Sequence, residues 1–293
     1  MSVRAQSYDC VEHIIQDGGS TDSTIDILRS HGDFVDWESR PDRGQADGLN
    51  RALTRSKGDI IIVLNADDEL LPQACSWAVE ALQAYPEVAV VYGDQYIVNE
   101  DGEIITNNPG PHPYDYRKVL CVEQVIPAQA AFIRRSHLEA VGFYVDASLA
   151  TCPDFEMWVR IGFRFDMIHI PGYVAKYRWH EGSEGRQKKK ILEMYKSKRL
   201  VMDRLFKDPG TPSELCALSK RAHAGLANWT ASMLISTGCR KDGALYALKA
   251  VLTYPSMVQL KRAVANILQA YMPGVHMRLH HWMAGECTKK WVG

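Results

Sequence analysis

Three acidic stretches and one histidine-bearing strand carry the residue types that do chemistry. In Leu64-Asn65-Ala66-Asp67-Asp68-Glu69, three consecutive carboxylates follow an aliphatic run. At the end of a buried strand such carboxylates repel one another, and a hard divalent cation, Mg²⁺ or Mn²⁺, is the usual relief. A solvated acidic loop that caps the next helix is the competing explanation. In Asp17-Gly18-Gly19-Ser20-Thr21-Asp22, Asp17 offers acceptors for a nucleobase, and Gly19 lets a ligand approach the backbone. A plain strand-to-helix turn explains the same residues. Asp154 and Glu156 precede Trp158 and Ile161 at the start of an apolar helix, a setting that suits a general base as well as a helix cap. His180 ends the run Tyr173 to His180, and imidazole is a competent Mn²⁺ ligand. The planar fork of Arg178 matches either phosphate oxygens or a surface acid.

These residues need a scaffold, and the patterning supplies one. Up to about residue 100, short β-rich runs alternate with helical stretches, the rhythm of a mostly parallel sheet built from βα units. Strands are expected at Val11 to Gln16, Phe34 to Glu38, a fully buried Asp59 to Leu64, Val88 to Tyr92 and Tyr96 to Val98. Helices follow Ser20 or Asp22, run from Gln45 to Ser56, and begin again after Pro72 with Ala74, Trp77, Ala78, Ala81 and Leu82 inward. In open sheets of this kind ligands bind beyond the carboxyl ends of the strands, so the two acidic loops are expected to face one crevice. The three prolines within Asn107 to Tyr116 mark an irregular loop. Beyond Gly185 strand signals stop, and helices are expected near 188 to 207, 213 to 236, 242 to 253 and 256 to 271. The chain therefore divides into an α/β region, 1–185, and a helical one, 186–293.

Charge divides it at the same place. Residues 1–185 hold 15 Lys and Arg against 29 Asp and Glu, a net −14, whereas residues 186–293 hold 19 against 6, a net +13. The basic half lacks zinc-finger spacing and an aromatic-glycine RNA signature, which argues against nucleic acid as a partner. Seven scattered cysteines without a C-x-x-C pair suggest neither a disulfide framework nor a zinc site, and point to a cytoplasmic setting. The longest aliphatic run, Ile60 to Leu64, is far short of the ~20 residues of a membrane span.

In order and spacing, Asp17 to Asp22, Arg43 to Leu53 (which includes Asn50) and Lys57-Gly58-Asp59 to Asp68 resemble successive motifs of the family 2 glycosyltransferases of the GT-A fold. Val91 to Asp94, Gln129 to Gly142, Asp154 to Arg160 and Tyr177 to His180 with Ser183 continue the series, so that it covers about 7–185. The resemblance implies a Rossmann-like α/β catalytic domain with a C-terminal helical appendage. Family members carry a strand and a helix before the equivalent of Ser7-Tyr8, so this chain is expected to lack the first family strand. Asn65 stands where many relatives have the first aspartate of the metal motif.

Carried over residue by residue, the resemblance makes Asp17, Gly19, Asn50, Asp67 and Arg178 contacts to a UDP- or GDP-sugar donor. It makes Asp68 and His180 ligands of Mn²⁺ or Mg²⁺, and Asp154 the catalytic base. The activity implied is inverting transfer of a sugar to a hydroxyl of a glycan or lipid-linked acceptor in bacterial surface polysaccharide synthesis. Clustered lysines at 188–199 add an expected peripheral contact with the inner face of the plasma membrane. The rival readings are a nucleotidyltransferase of related fold and a non-catalytic binder of nucleotide sugars or glycans.

Overall fold

A computed structural model describes residues 2–271 and divides them into two compact units. One comprises residues up to 119 together with 124–180, and the other residues 120–123 together with the chain from 181. The first unit opens with β1 (His13–Asp17), α1 (Thr24–Ser30), β2 (Val35–Ser39) and α2 (Gln45–Arg55). It continues through β3 (Ile60–Ile61), β4 (Glu69–Leu70), α3 (Ala74–Ala84), β5 (Val90–Val98), β6 (Ile104–Asn108) and α4 (Tyr116–Leu120), whose last residue falls in the second unit. Then follow β7 (Ala131–Arg134), α5 (Arg135–Ala140), α6 (Pro153–Gly162) and β8 (Met167–Arg178).

The α/β class holds, and the strand pairing differs from a mostly parallel sheet. β1 and β2 form a parallel two-stranded sheet of their own, and β5 runs parallel to β8. The ladders β3–β7, β4–β8, β5–β6 and β5–β7 are antiparallel. The βα rhythm was legible only through the first repeats. Beyond them a hairpin, with Gly102 at φ +86° in its turn, joins β5 directly to β6 without a helical crossover. The two acidic loops therefore follow strands of different sheets. The expected buried strand from Asp59 to Leu64 shrinks to Ile60–Ile61, because only Ile60 and Ile61 pair with β7, and Ile62 to Leu64 are half-buried.

The larger sheet is packed on both faces, as strand alternation requires. Val90, Tyr92, Ala131 and Ile133 point to one side, against Ala46 and Leu53 of α2 and Met157, Trp158 and Ile161 of α6. Val91 and Phe132 point to the other, against Ala74, Ala78, Ala81 and Leu82 of α3. Burying each large side chain contributes about 1.5–3 kcal/mol. Gly93 lets β5 and β8 approach: a Cβ there would stand 2.7 Å from the Gly172 carbonyl oxygen.

The second unit is helical: α7 (Lys188–Lys207), α8 (Ser213–Cys216), α9 (Ser219–Ser236), α10 (Arg240–Thr253) and α11 (Met257–Tyr271). Ala231, Ala247 and Ala263 pack together, small residues that let α9, α10 and α11 lie close. No helix among the described residues is long and apolar enough to cross a membrane.

Candidate functional site

The segment 65–69 and the end of β8 are tied together. β4 pairs with β8 through Glu69 opposite Lys176. That register sets Asp67, Asp68, Arg178 and His180 side by side. Asp68 is buried and turns inward: one carboxylate oxygen accepts the Arg178 backbone N–H at 2.9 Å, and the other accepts the Asn65 amide at 2.9 Å. The Gln129 side chain also bonds to it. Burial raises the pKa of Asp68, partly offset by those bonds. Asp67 is exposed, and its Oδ2 lies 3.0 Å from His180 Nε2. Sequence reasoning gave the metal to Asp68 and the donor to Asp67. In the structure Asp68 is braced internally, and Asp67 is the outward carboxylate beside His180.

Arg178 is used by the protein itself. Its Nε donates to the Asp67 carbonyl at 3.0 Å, its Nη1 to the Asn99 and Glu100 carbonyls at 2.9 and 2.8 Å, and its Nη2 to Glu69 Oε1 at 2.9 Å. Four of its five donor sites thus have protein partners. Glu69 is held below its usual carboxylate range, chiefly by the Lys176 ammonium at 3.0 Å. Within the acidic triplet, Lys176 and Arg178 thus offset the charge of Glu69, while the Asp67 carboxylate still adds to the raised pKa of Asp68.

Asp17 stands at the carboxyl end of β1, directly across the ladder from Ser39. Its Oδ2 accepts the Gly19 N–H at 2.9 Å, the Ser20 N–H at 2.8 Å and the Ser39 hydroxyl at 2.5 Å, while its Oδ1 accepts the Ser20 hydroxyl. The Ser20 and Ser39 hydroxyls bring its carboxyl down to about 2. Gly19 adopts φ +93°, and a Cβ there would meet Pro41 at 3.2 Å, so the glycine is required by the turn itself. Asp22 accepts the Thr24 N–H at 3.0 Å at the head of α1. The carboxylate of Asp17 therefore shapes this loop.

Asn50 faces inward. Its amide donates to the Val145 carbonyl and accepts the Val145 N–H, both at 2.9 Å, which clasps α2 to the segment before α6. Its amide nitrogen and oxygen are thus both engaged with backbone.

Asp154 lies in the first turn of α6, behind Pro153 and the left-handed Cys152. It is half-buried, and among the described residues no hydrogen bond or ion pair engages it. The neighbouring Glu156 is held by Arg160 at 2.7 Å, which in turn donates to the Val141, Gly142 and Tyr144 carbonyls. Of the two carboxylates, Asp154 is thus the one without a hydrogen bond or ion pair among the described residues.

Two further devices were not singled out from sequence. Asp94 is buried and accepts from the Gly110 N–H at 2.9 Å, the Gly172 N–H at 3.1 Å and His169 Nε2 at 2.7 Å. It fixes the irregular segment after β6. Gln129 supports Asp68, as described. Both lie in stretches that carry the resemblance, but their partners are distant in sequence and only the fold reveals them.

Among the described residues no three His, Cys, Asp or Glu side chains converge as a preformed metal cage. Asp67 and His180 supply one oxygen and one nitrogen donor, a set that fits Mn²⁺ or Mg²⁺ when a ligand's phosphates complete the coordination.

Residues 1–142 match the family model described as glycosyl transferase family 2. A Mycobacterium tuberculosis protein described as an uncharacterized glycosyltransferase is 34% identical over 160 residues, 53% of this chain and 59% of that protein. The poly-beta-1,6-N-acetyl-D-glucosamine synthase of Staphylococcus aureus is 28% identical over 192 residues, 60% of this chain and 43% of the synthase. The chain thus spans about half the length of these relatives. Among solved structures, S. aureus TarS 1-349 in complex with UDP-GlcNAc has TM-score 0.58 at 13% identity, covering 97% of this chain and 82% of that one. The mannosyltransferase PcManGT from Pyrobaculum calidifontis in complex with GDP-Man and Mn²⁺ has TM-score 0.58 at 18% identity, covering 99% and 81%. These likenesses show the fold, the expected GT-A arrangement with a helical C-terminal region.

Proposed function

From the membership of residues 1–142 in glycosyl transferase family 2, we propose that this chain is an inverting glycosyltransferase. It moves a sugar from a UDP- or GDP-sugar to an acceptor hydroxyl, in the cytoplasm of a bacterium that builds surface polysaccharide. The observation that carries the reading is the outward Asp67 carboxylate set 3.0 Å from His180 by the β4–β8 register. Asp67 and His180 would hold a divalent ion against the donor's diphosphate. When bound, such an ion neutralises the charge that grows on the departing nucleotide diphosphate.

The chain's own residues do the rest. Asp154 accepts the proton of the acceptor hydroxyl as that oxygen attacks the anomeric carbon, opposite the leaving group, and the configuration inverts. That no hydrogen bond or ion pair among the described residues engages it supports this role, as does the capture of Glu156 by Arg160. Asp17 and Gly19 form the loop that receives the nucleoside, with contact made through the Ser20 region and the backbone. The acceptor is a glycan or a lipid-linked glycan. Support for polysaccharide synthesis comes from the S. aureus synthase relative.

Asp154→Asn tests the assignment. Transfer should fall by ~10²-fold or more while affinity for the nucleotide diphosphate stays within about twofold, because a base acts in the transition state. Calorimetry beside a rate assay reads both, and wild-type rates in the variant would move the base elsewhere.

A further inference from the structure

The lysines that draw attention in sequence are largely consumed within the second unit. Lys188 pairs with Asp242 at 2.7 Å, Lys190 with Glu184 at 3.3 Å, and Lys198 is buried against the Trp229 ring. A different surface remains. Leu245, Leu248 and Leu252 form an exposed row on α10, and Met257, Leu260 and Val264 form another on α11. Both rows recur at helical spacing, on sides other than that of the Ala231–Ala247–Ala263 contact. Exposure reaches 65% at Leu245, 74% at Leu252 and 67% at Met257, values unusual for apolar side chains of this size.

The charges beside these rows indicate the occupant. From Arg240 to Tyr271 the chain carries Arg240, Lys241, Lys249, Lys261 and Arg262, against Asp242 alone; Lys188 neutralises Asp242, Arg262 pairs with Glu123 at 3.5 Å and Lys249 lies over the Tyr195 ring, so that Arg240, Lys241 and Lys261 remain without an ion pair among the described residues. α11 has no acidic residue. An apolar face bordered by cations and devoid of free acids matches an anionic bilayer surface: side chains enter the acyl boundary while the lysines meet lipid headgroups. A second copy of the chain would bring the same cations against themselves, which disfavours self-pairing.

We propose that α10 and α11 are a membrane-docking surface that seats the chain peripherally on an anionic bilayer, through insertion of the Leu245–Leu252 and Met257–Val264 rows. The inference is independent of the transferase reading, and its test needs no turnover.

The full chain is sedimented with phosphatidylglycerol and with phosphatidylcholine vesicles at low and high salt. Binding is expected to phosphatidylglycerol, weakened by salt. The variant L245E/L252E/M257E should lose ~10-fold or more of its partitioning with helix content unchanged by circular dichroism. K189E/K196E on the exposed side of α7 should retain most of its partitioning. Failure of the wild-type chain to pellet with anionic vesicles would overturn the proposal. So would equal binding by a folded L245E/L252E/M257E variant, or light scattering that shows the rows instead closing a dimer.

Discussion

At the residue scale, the chemistry rests on which carboxylates the protein has already engaged. Asp17, Asp68 and Glu69 are braced internally, whereas Asp67 faces outward beside His180 and Asp154 has no hydrogen bond or ion pair among the described residues. Asp67→Ala and His180→Ala should each weaken the Mn²⁺ dependence of nucleotide diphosphate binding, by ~10-fold as coordination losses go. Asp68→Ala should instead loosen the loop and lower stability. Calorimetry with and without Mn²⁺ separates the cases. Asp17 has a folded pKa below its unfolded value, so its hydrogen bonds stabilise the fold above ~pH 4 and lose that contribution as pH falls toward about 2. The stability gap between wild type and Asp17→Asn, measured by urea unfolding, should therefore be full near neutrality and close in that acid window. The types of these residues were legible in the sequence. Their orientation was not: nothing local distinguishes Asp67 from Asp68, since the choice is made by the Arg178 N–H more than a hundred residues away.

At the element scale, helices were legible and strand pairing was not. α7 was read at its observed bounds, Lys188–Lys207, and α2 to within one residue, because their apolar spacing is local. β5 was read as two strands, and its continuous run Val90–Val98 is held by partners that no local pattern encodes. β3 was overextended for the same reason, since five aliphatic residues look like a strand whether or not a neighbour pairs with them. The clasp of Asn50 on Val145 is another long-range decision. Asn50→Ala should cost about 1–3 kcal/mol of stability by leaving the Val145 N–H and carbonyl unpaired, with nucleotide affinity unchanged. Chemical denaturation beside a binding titration tests it. Loss of affinity at full stability would instead make Asn50 a donor contact.

At the scale of the whole molecule, charge divides as −14 over residues 1–185 against +13 over residues 186–293. The structure sets the boundary after His180 and assigns 120–123 to the second unit, a piece that sequence order hides. In the first unit the packing of α2, α6 and α3 on the two faces of one sheet holds the loop that bears Asp67 and the first turn of α6 that bears Asp154. The central claim is that this frame transfers sugar from a nucleotide diphosphate with Asp154 as base. Its most direct test is release of nucleoside diphosphate from a panel of UDP- and GDP-sugars, with Mn²⁺ and a glycan acceptor mixture, by the wild-type chain and Asp154→Asn. Release from donors of one base, stopped by chelator and reduced ~10²-fold or more in the variant, is the expected result. Release that persists undiminished in both chelator and Asp154→Asn would contradict it, as would no release from any donor.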